Sequence, residues 1–98
     1  MRAITRDAIE AFGWGEPFSR DNTRVAVHGE CVTLLLHDNA IARRDGSSLI
    51  IRTAGWPTTT TKERLNGLPG VSVSTSKGVL YLNGKAWEDH EDWTTIKD

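Results

Sequence analysis

The sequence predicts an α+β domain: an antiparallel sheet of about six strands with two short helices, in the order α-ββββ-α-ββ. Three observations predict it. Apolar residues near the N-terminus follow helical spacing, then switch to a period of two from Thr23 to Thr53. Turn pairs separate the alternating runs by too few residues for crossover helices, so neighbouring strands must pair antiparallel. Finally, residues 54–87, AGWPTTTTKERLNGLPGVSVSTSKGVLYLNGKAW, string together a helix cap, a helix stop and two hairpin signals.

The first helix is expected over residues 5–13. Thr5 has the chemistry of an N-cap, and Asp7 places a negative charge in the first turn, near the positive end of the helix dipole. Ile4 and Ile9 have the spacing of a hydrophobic staple. Ala8, Ile9 and Phe12 form one apolar face, and Gly13 and Gly15 stop the helix around Trp14. Residues 16–22, with Pro17, read as a loop. Thr23–His28 is the first strand, with Val25 and Val27 on one side and Arg24 and His28 on the other. Gly29-Glu30 turns the chain into Cys31–His37, whose Leu34-Leu35-Leu36 run suggests cover on both faces. Asp38-Asn39 leads to Ala40–Arg44, and Asp45-Gly46 to Ser48–Thr53. In that last strand Leu49 and Ile51 face opposite to Ile50 and Arg52.

Gly55 and Pro57 break the alternation. Thr60 and Glu63 have capping-box spacing, which predicts a second helix over about 61–66. Its two large apolar side chains, Leu65 and Leu68, should dock it on the core. Asn66-Gly67 and Pro69 end it. Val71–Ser76 and Val79–Leu82 are strands joined at Lys77-Gly78. Asn83-Gly84, the strongest hairpin pair in the chain, folds Lys85–Trp87 back. The pattern is complete at Trp87, so residues 1–87 form a single globular domain and residues 88–98 an acidic C-terminal tail.

A chain of 98 residues holds one domain. Its hydrophobic share of 38% and charged share of 26% place it with globular chains. Net charge is −1, so no global field favours nucleic acid or a membrane surface. Charge is nonetheless segregated. Lys62, Arg64, Lys77 and Lys85 oppose Glu63 alone over residues 53–85, whereas Glu88, Asp89, Glu91, Asp92 and Asp98 oppose Lys97 alone over residues 86–98. Cys31 is the only cysteine, which rules out an intrachain disulfide and suits a reducing cytoplasm. The opening MRAITRDAIEAF lacks the apolar run of a signal peptide, and no stretch approaches a membrane span.

TTKERLNGLPGVSV, followed by LYLNGKAW and preceded by LHDNAIARRDG, resembles a group of small uncharacterised proteins encoded by tailed phages and prophages. The opening MRAITRDAIEAF, followed by PF and NT, is similar to that group as well. The resemblance covers residues 1–87. The group has no established activity, so no functional residue transfers. The resemblance implies a phage-type accessory protein acting in the cytoplasm of a bacterial host.

No pattern of ligands or nucleophiles points to catalysis. His28, His37 and His90 lack the spacing of a metal site, and a solvated charge run accounts for Glu88-Asp89-His90-Glu91-Asp92. Cys31 falls in a strand, where a free cysteine acts as a small hydrophobe. Ser47, Ser48, Ser72, Ser74 and Ser76 lie in turns or on an alternating strand face, outside any nucleophile elbow. Asn66-Gly67-Leu68-Pro69-Gly70 precedes a strand, not a helix, and so reads as a helix terminator instead of a phosphate loop. Trp56 and Trp87 read as core edges.

The expected function is therefore that of a non-enzymatic, cofactor-free binding protein that inhibits or modulates a host or defence protein, in the manner of an anti-CRISPR protein. Trp93 would be its anchor, since tryptophan is favoured at binding hot spots, with Glu88, Asp89, Glu91 and Asp92 facing a basic partner. One alternative is a nucleic-acid-binding accessory factor using Lys62, Arg64, Lys77 and Lys85. Another is a minor structural protein that self-associates through a sheet edge.

Overall fold

The computed structural model describes residues 1–98. The α+β class and the expected order of elements hold, with additional strands before the first and after the last. Helix α1 is Ala3–Trp14 and α2 is Thr59–Leu65. The strands are β1 Phe18–Arg20, β2 Thr23–His28, β3 Cys31–Leu36, β4 Asn39–Asp45, β5 Ser48–Ile51, β6 Val73–Ser76, β7 Val79–Leu82, β8 Lys85–Ala86 and β9 Thr94–Lys97.

Two sheets form. The larger has six strands in the order β1-β2-β3-β4-β5-β9, and β6-β7-β8 form a small second sheet. The hairpin chemistry accounts for the joints. Lys77-Gly78 and Asn83-Gly84 both adopt positive φ at the two central positions, as type I′ turns require. The β3–β4 turn is centred on His37 and Asp38 at φ 51° and 64°, one residue earlier than the Asp38-Asn39 reading. A bulge between Leu34 and Leu35 sets Ala42 opposite Leu34 and Ala40 opposite Leu35.

One core joins the two sheets and both helices. Ala8, Ala11 and Phe12 of α1 pack with Val25, Val32 and Leu34, while Leu65, Leu68, Val73, Leu80 and Trp87 extend the same cluster beneath the small sheet. Leu65 and Leu68 are buried as expected, at 0% and 3% exposure.

Three expectations need correction. First, Thr5 is not a cap. The helix begins two residues earlier, and Thr5 lies inside it, fully buried. Its hydroxyl donates to Glu63 Oε1 and accepts from Arg64 Nη1, partners that local sequence cannot announce. Second, the cap of α2 is Thr58, whose hydroxyl accepts from Thr61 N–H at 3.1 Å. Thr60 is inside the helix, and the glutamate that would complete its box is drawn away to Thr5 and Arg64. Third, residues 88–98 are not a tail outside the domain. Strand β9 pairs antiparallel with β5, with Ile50 opposite Thr95 and Ile51 opposite Thr94. Without it β5 would be an unpaired edge carrying apolar residues.

Candidate functional site

The register of the six-stranded sheet decides which side chains share a face. Thr23, Val25, Leu34, Ala42 and Ile51 point to the helices and are buried. On the opposite face lie Arg24, Ala26, Thr33, Leu35, Arg43, Ile50, Arg52 and Trp93, none of them buried. Both helices pack on the first face, so the second is open to solvent.

Trp93 stands at the start of β9 on this open face. Its ring lies under two guanidinium groups, 4.3 Å from that of Arg52 and 5.0 Å from that of Arg43. Arg52 is held there by a hydrogen bond from its Nε to Ala40 O at 2.8 Å. Neither arginine has a carboxylate within ion-pairing distance, whereas Arg24 on the same face is paired with Asp38 at 3.2 Å. With no carboxylate paired to either cation, the negative face of the Trp93 ring is a group they share. Trp93, expected as a free anchor, is therefore half-buried and tied to the sheet.

The acidic residues before it form an ordered turn between β8 and β9. Trp87 is buried, and its indole N–H donates to Thr94 Oγ1 at 2.9 Å. Thr53 N–H donates to His90 O at 2.7 Å, and the Thr53 hydroxyl meets His90 Nδ1 at 2.6 Å. His90 also packs edge-on against Trp87, with ring centroids 6.2 Å apart. Between these anchors Glu88, Asp89, Glu91 and Asp92 are exposed and form no ion pair. The signal was present in the sequence: Trp87, His90 and Trp93 recur every third residue through the acidic run. No local signal marks Arg43 and Arg52, because their meeting with Trp93 depends on the long-range pairing of β5 with β9.

The basic set does not assemble. Arg64, expected among the surface cations, is instead fully buried. Its Nε donates to Thr23 Oγ1 at 3.1 Å and its Nη1 to Thr5 Oγ1 and Glu63. Burial opposes ionisation of Glu63, but hydrogen bonds from the Thr5 hydroxyl and the Arg2 backbone, with the Arg64 charge, outweigh it. They hold the Glu63 carboxyl below the ordinary glutamate range. Lys62 is half-buried and donates to Thr75 Oγ1 at 2.8 Å, while Lys77 and Lys85 stand exposed on the small sheet. The arrangement thus leaves two charged surfaces open to solvent, an acidic turn and an arginine-bearing sheet face. No group of three or more His, Cys, Asp or Glu side chains converges closely enough to hold a metal ion.

No curated protein and no solved structure matches the chain. The family profile described as Kyanoviridae Gp96 protein matches residues 1–97, which takes in β9 with the rest of the domain.

Proposed function

We propose, given that this chain belongs to the Kyanoviridae Gp96 family of phage proteins, that it is a non-enzymatic binding protein which inhibits or modulates a host or defence protein, in the manner of an anti-CRISPR protein. The observation that carries this reading is the acidic turn. Glu88, Asp89, Glu91 and Asp92 are fixed in place by Trp87, His90 and Trp93, yet none is neutralised within the chain. Fixed unpaired charges favour fast association with an oppositely charged surface and lose little conformational freedom on docking. The partner is a host-cell protein presenting a basic patch.

The test compares the wild-type protein with a variant carrying Glu88→Gln, Asp89→Asn, Glu91→Gln and Asp92→Asn. Each is used as bait in host lysate, and the captured protein is then titrated in purified form. A partner whose affinity falls with salt and is lost in the variant supports the reading. Equal capture by both baits, with equal affinity, removes the acidic turn from it.

The open sheet face supports a second reading, a nucleic-acid-binding accessory factor. Here Arg43 and Arg52, not the lysines of the small sheet, would contact phosphates. Single-stranded oligonucleotide binding that falls steeply with salt and disappears in Arg43→Ala with Arg52→Ala would favour it. A self-associating structural role would use the outer edges of β1 or β9, and light scattering reads it directly.

A further inference from the structure

The sequence predicts a core edge for Trp56, yet the residue is 63% exposed. It stands in a short connection between Gly55, at φ 87°, and Pro57. The connection is not loose. Trp56 N–H donates to Thr53 O at 3.1 Å, and Thr58 N–H to Trp56 O at 2.8 Å. A large aromatic side chain is thus presented to solvent from a fixed backbone, beside a cavity that it helps to line.

That cavity has a volume of about 610 Å3 and opens between the start of α2 and the β3–β4 turn. This is within the size range of small-ligand sites. Leu36 and Ile41, almost wholly buried, form its apolar floor. Polar groups line the rest, and their states differ. The hydroxyls of Thr58 and Thr61 meet each other at 3.0 Å, and that of Thr53 is engaged by His90. The side chains of Thr60 and Asn39 make no hydrogen bond within the protein and are free to bind. No Lys, Arg, Asp or Glu lines the cavity.

We propose that this cavity is a binding site for a neutral pyranose sugar, stacked by its apolar ring face on Trp56 and hydrogen-bonded through its hydroxyls to Thr60 and Asn39. Three features select that class. The aromatic wall and aliphatic floor call for an apolar face. The free hydroxyl and amide call for a ligand rim that can both donate and accept. With no Lys or Arg in the lining, and with its one imidazole, His37, already meeting Asn22 Nδ2 at 3.5 Å, a phosphate- or carboxylate-bearing ligand would find no fixed cation there to offset its desolvation. A nucleotide fails on that last count, whereas a pyranose meets all three.

The experiment is a titration of the full chain, labelled with nitrogen-15, with methyl glucoside, maltose, cellobiose and N-acetylglucosamine, and with adenosine as a planar uncharged control. The expected result is saturable shifts of the Trp56 indole N–H and of the Thr60 and Asn39 amides for at least one sugar. Trp56→Ala should lose this binding and Thr60→Val weaken it. Trp14→Ala, which removes a still more exposed ring elsewhere, should retain it. The proposal is overturned by a lack of saturable shifts with every sugar, by binding that survives Trp56→Ala, or by a preference for adenosine over all the sugars.

Discussion

Arg64 shows how far one side chain can depart from its local context. In sequence it is a cation in a basic segment, on a short helix. In the fold it is wholly buried and joins α1, β2 and α2 through Thr5, Thr23 and Glu63. Removing one partner from such a cluster leaves the others desolvated. Arg64→Ala should therefore lower stability by about 3–5 kcal/mol, whereas Lys77→Ala and Lys85→Ala should stay within about 0.5 kcal/mol, as chemical denaturation will measure. Glu63 adds a pH signature. Its carboxyl is held below the ordinary value, so it contributes stability above the unfolded-state pKa of about 4.5 and loses it as pH falls through the lower folded value. Glu63→Gln should flatten the acid limb of a stability-versus-pH curve in that window. Gly67 is a third residue with a specific demand. A Cβ there would lie 2.7 Å from Ile9 Cγ1 and 3.3 Å from Thr5 Cγ2. It is required by the close approach of the α2 terminus to α1, since its φ is not positive. Gly67→Ala should destabilise the protein even though alanine has the higher intrinsic helix propensity; a raised melting temperature would contradict this.

Among the elements, β9 changes most between sequence and structure. It has four residues with alternating exposure, and its outer neighbour is solvent. It is held by pairing with β5, by the Trp87–Thr94 hydrogen bond and by the two guanidinium groups over Trp93. Trp93→Ala should cost about 1–2 kcal/mol from the two cation–π contacts alone. Deleting residues 88–98 should cost more, since it also strips the edge from β5 and the acceptor from Trp87. Thermal melts of the two variants check this ordering, and a truncated protein with an unchanged melting temperature would refute it. The cap of α2 offers a local test of the same kind. Thr58→Ala should cost about 0.5–2 kcal/mol by removing the acceptor for Thr61 N–H. Thr60→Ala should cost little, because the Thr60 side chain makes no hydrogen bond.

At the scale of the whole molecule, two sheets share one core. The small sheet is too short to stand alone, and its buried side chains, Val73 and Leu80, belong to the cluster that also holds Phe12 and Leu34. Asn66 strengthens the link, accepting from Val73 N–H at 2.6 Å and donating to Val73 O at 2.9 Å, so that a helix end imitates a neighbouring strand for β6. Both sheets should unfold in one transition, with calorimetric and van't Hoff enthalpies equal. Leu65→Ala, at the centre of that shared core, should lower stability by about 2–5 kcal/mol without separating the transition into two.

The sequence by itself determined the α+β class, the strands from Thr23 to Leu82, the Lys77-Gly78 and Asn83-Gly84 turns, and the burial of Leu65 and Leu68. Each of these rests on interactions between residues near in the chain: alternation about the backbone, φ preferences at turns, apolar spacing on a short helix. The tertiary structure alone decided the burial of Arg64, the loss of Thr5 and Thr60 as caps, the incorporation of β9 and the meeting of Arg43 and Arg52 on Trp93. All of these depend on contacts between segments distant in sequence. A threonine bonds whichever partner the fold brings within reach, and an arginine is a surface charge or a core clasp according to what surrounds it. The acidic turn falls between the two cases. Its charges are plain in the sequence, but its rigidity comes from Thr53 and Thr94, which only the folded chain sets beside His90 and Trp87.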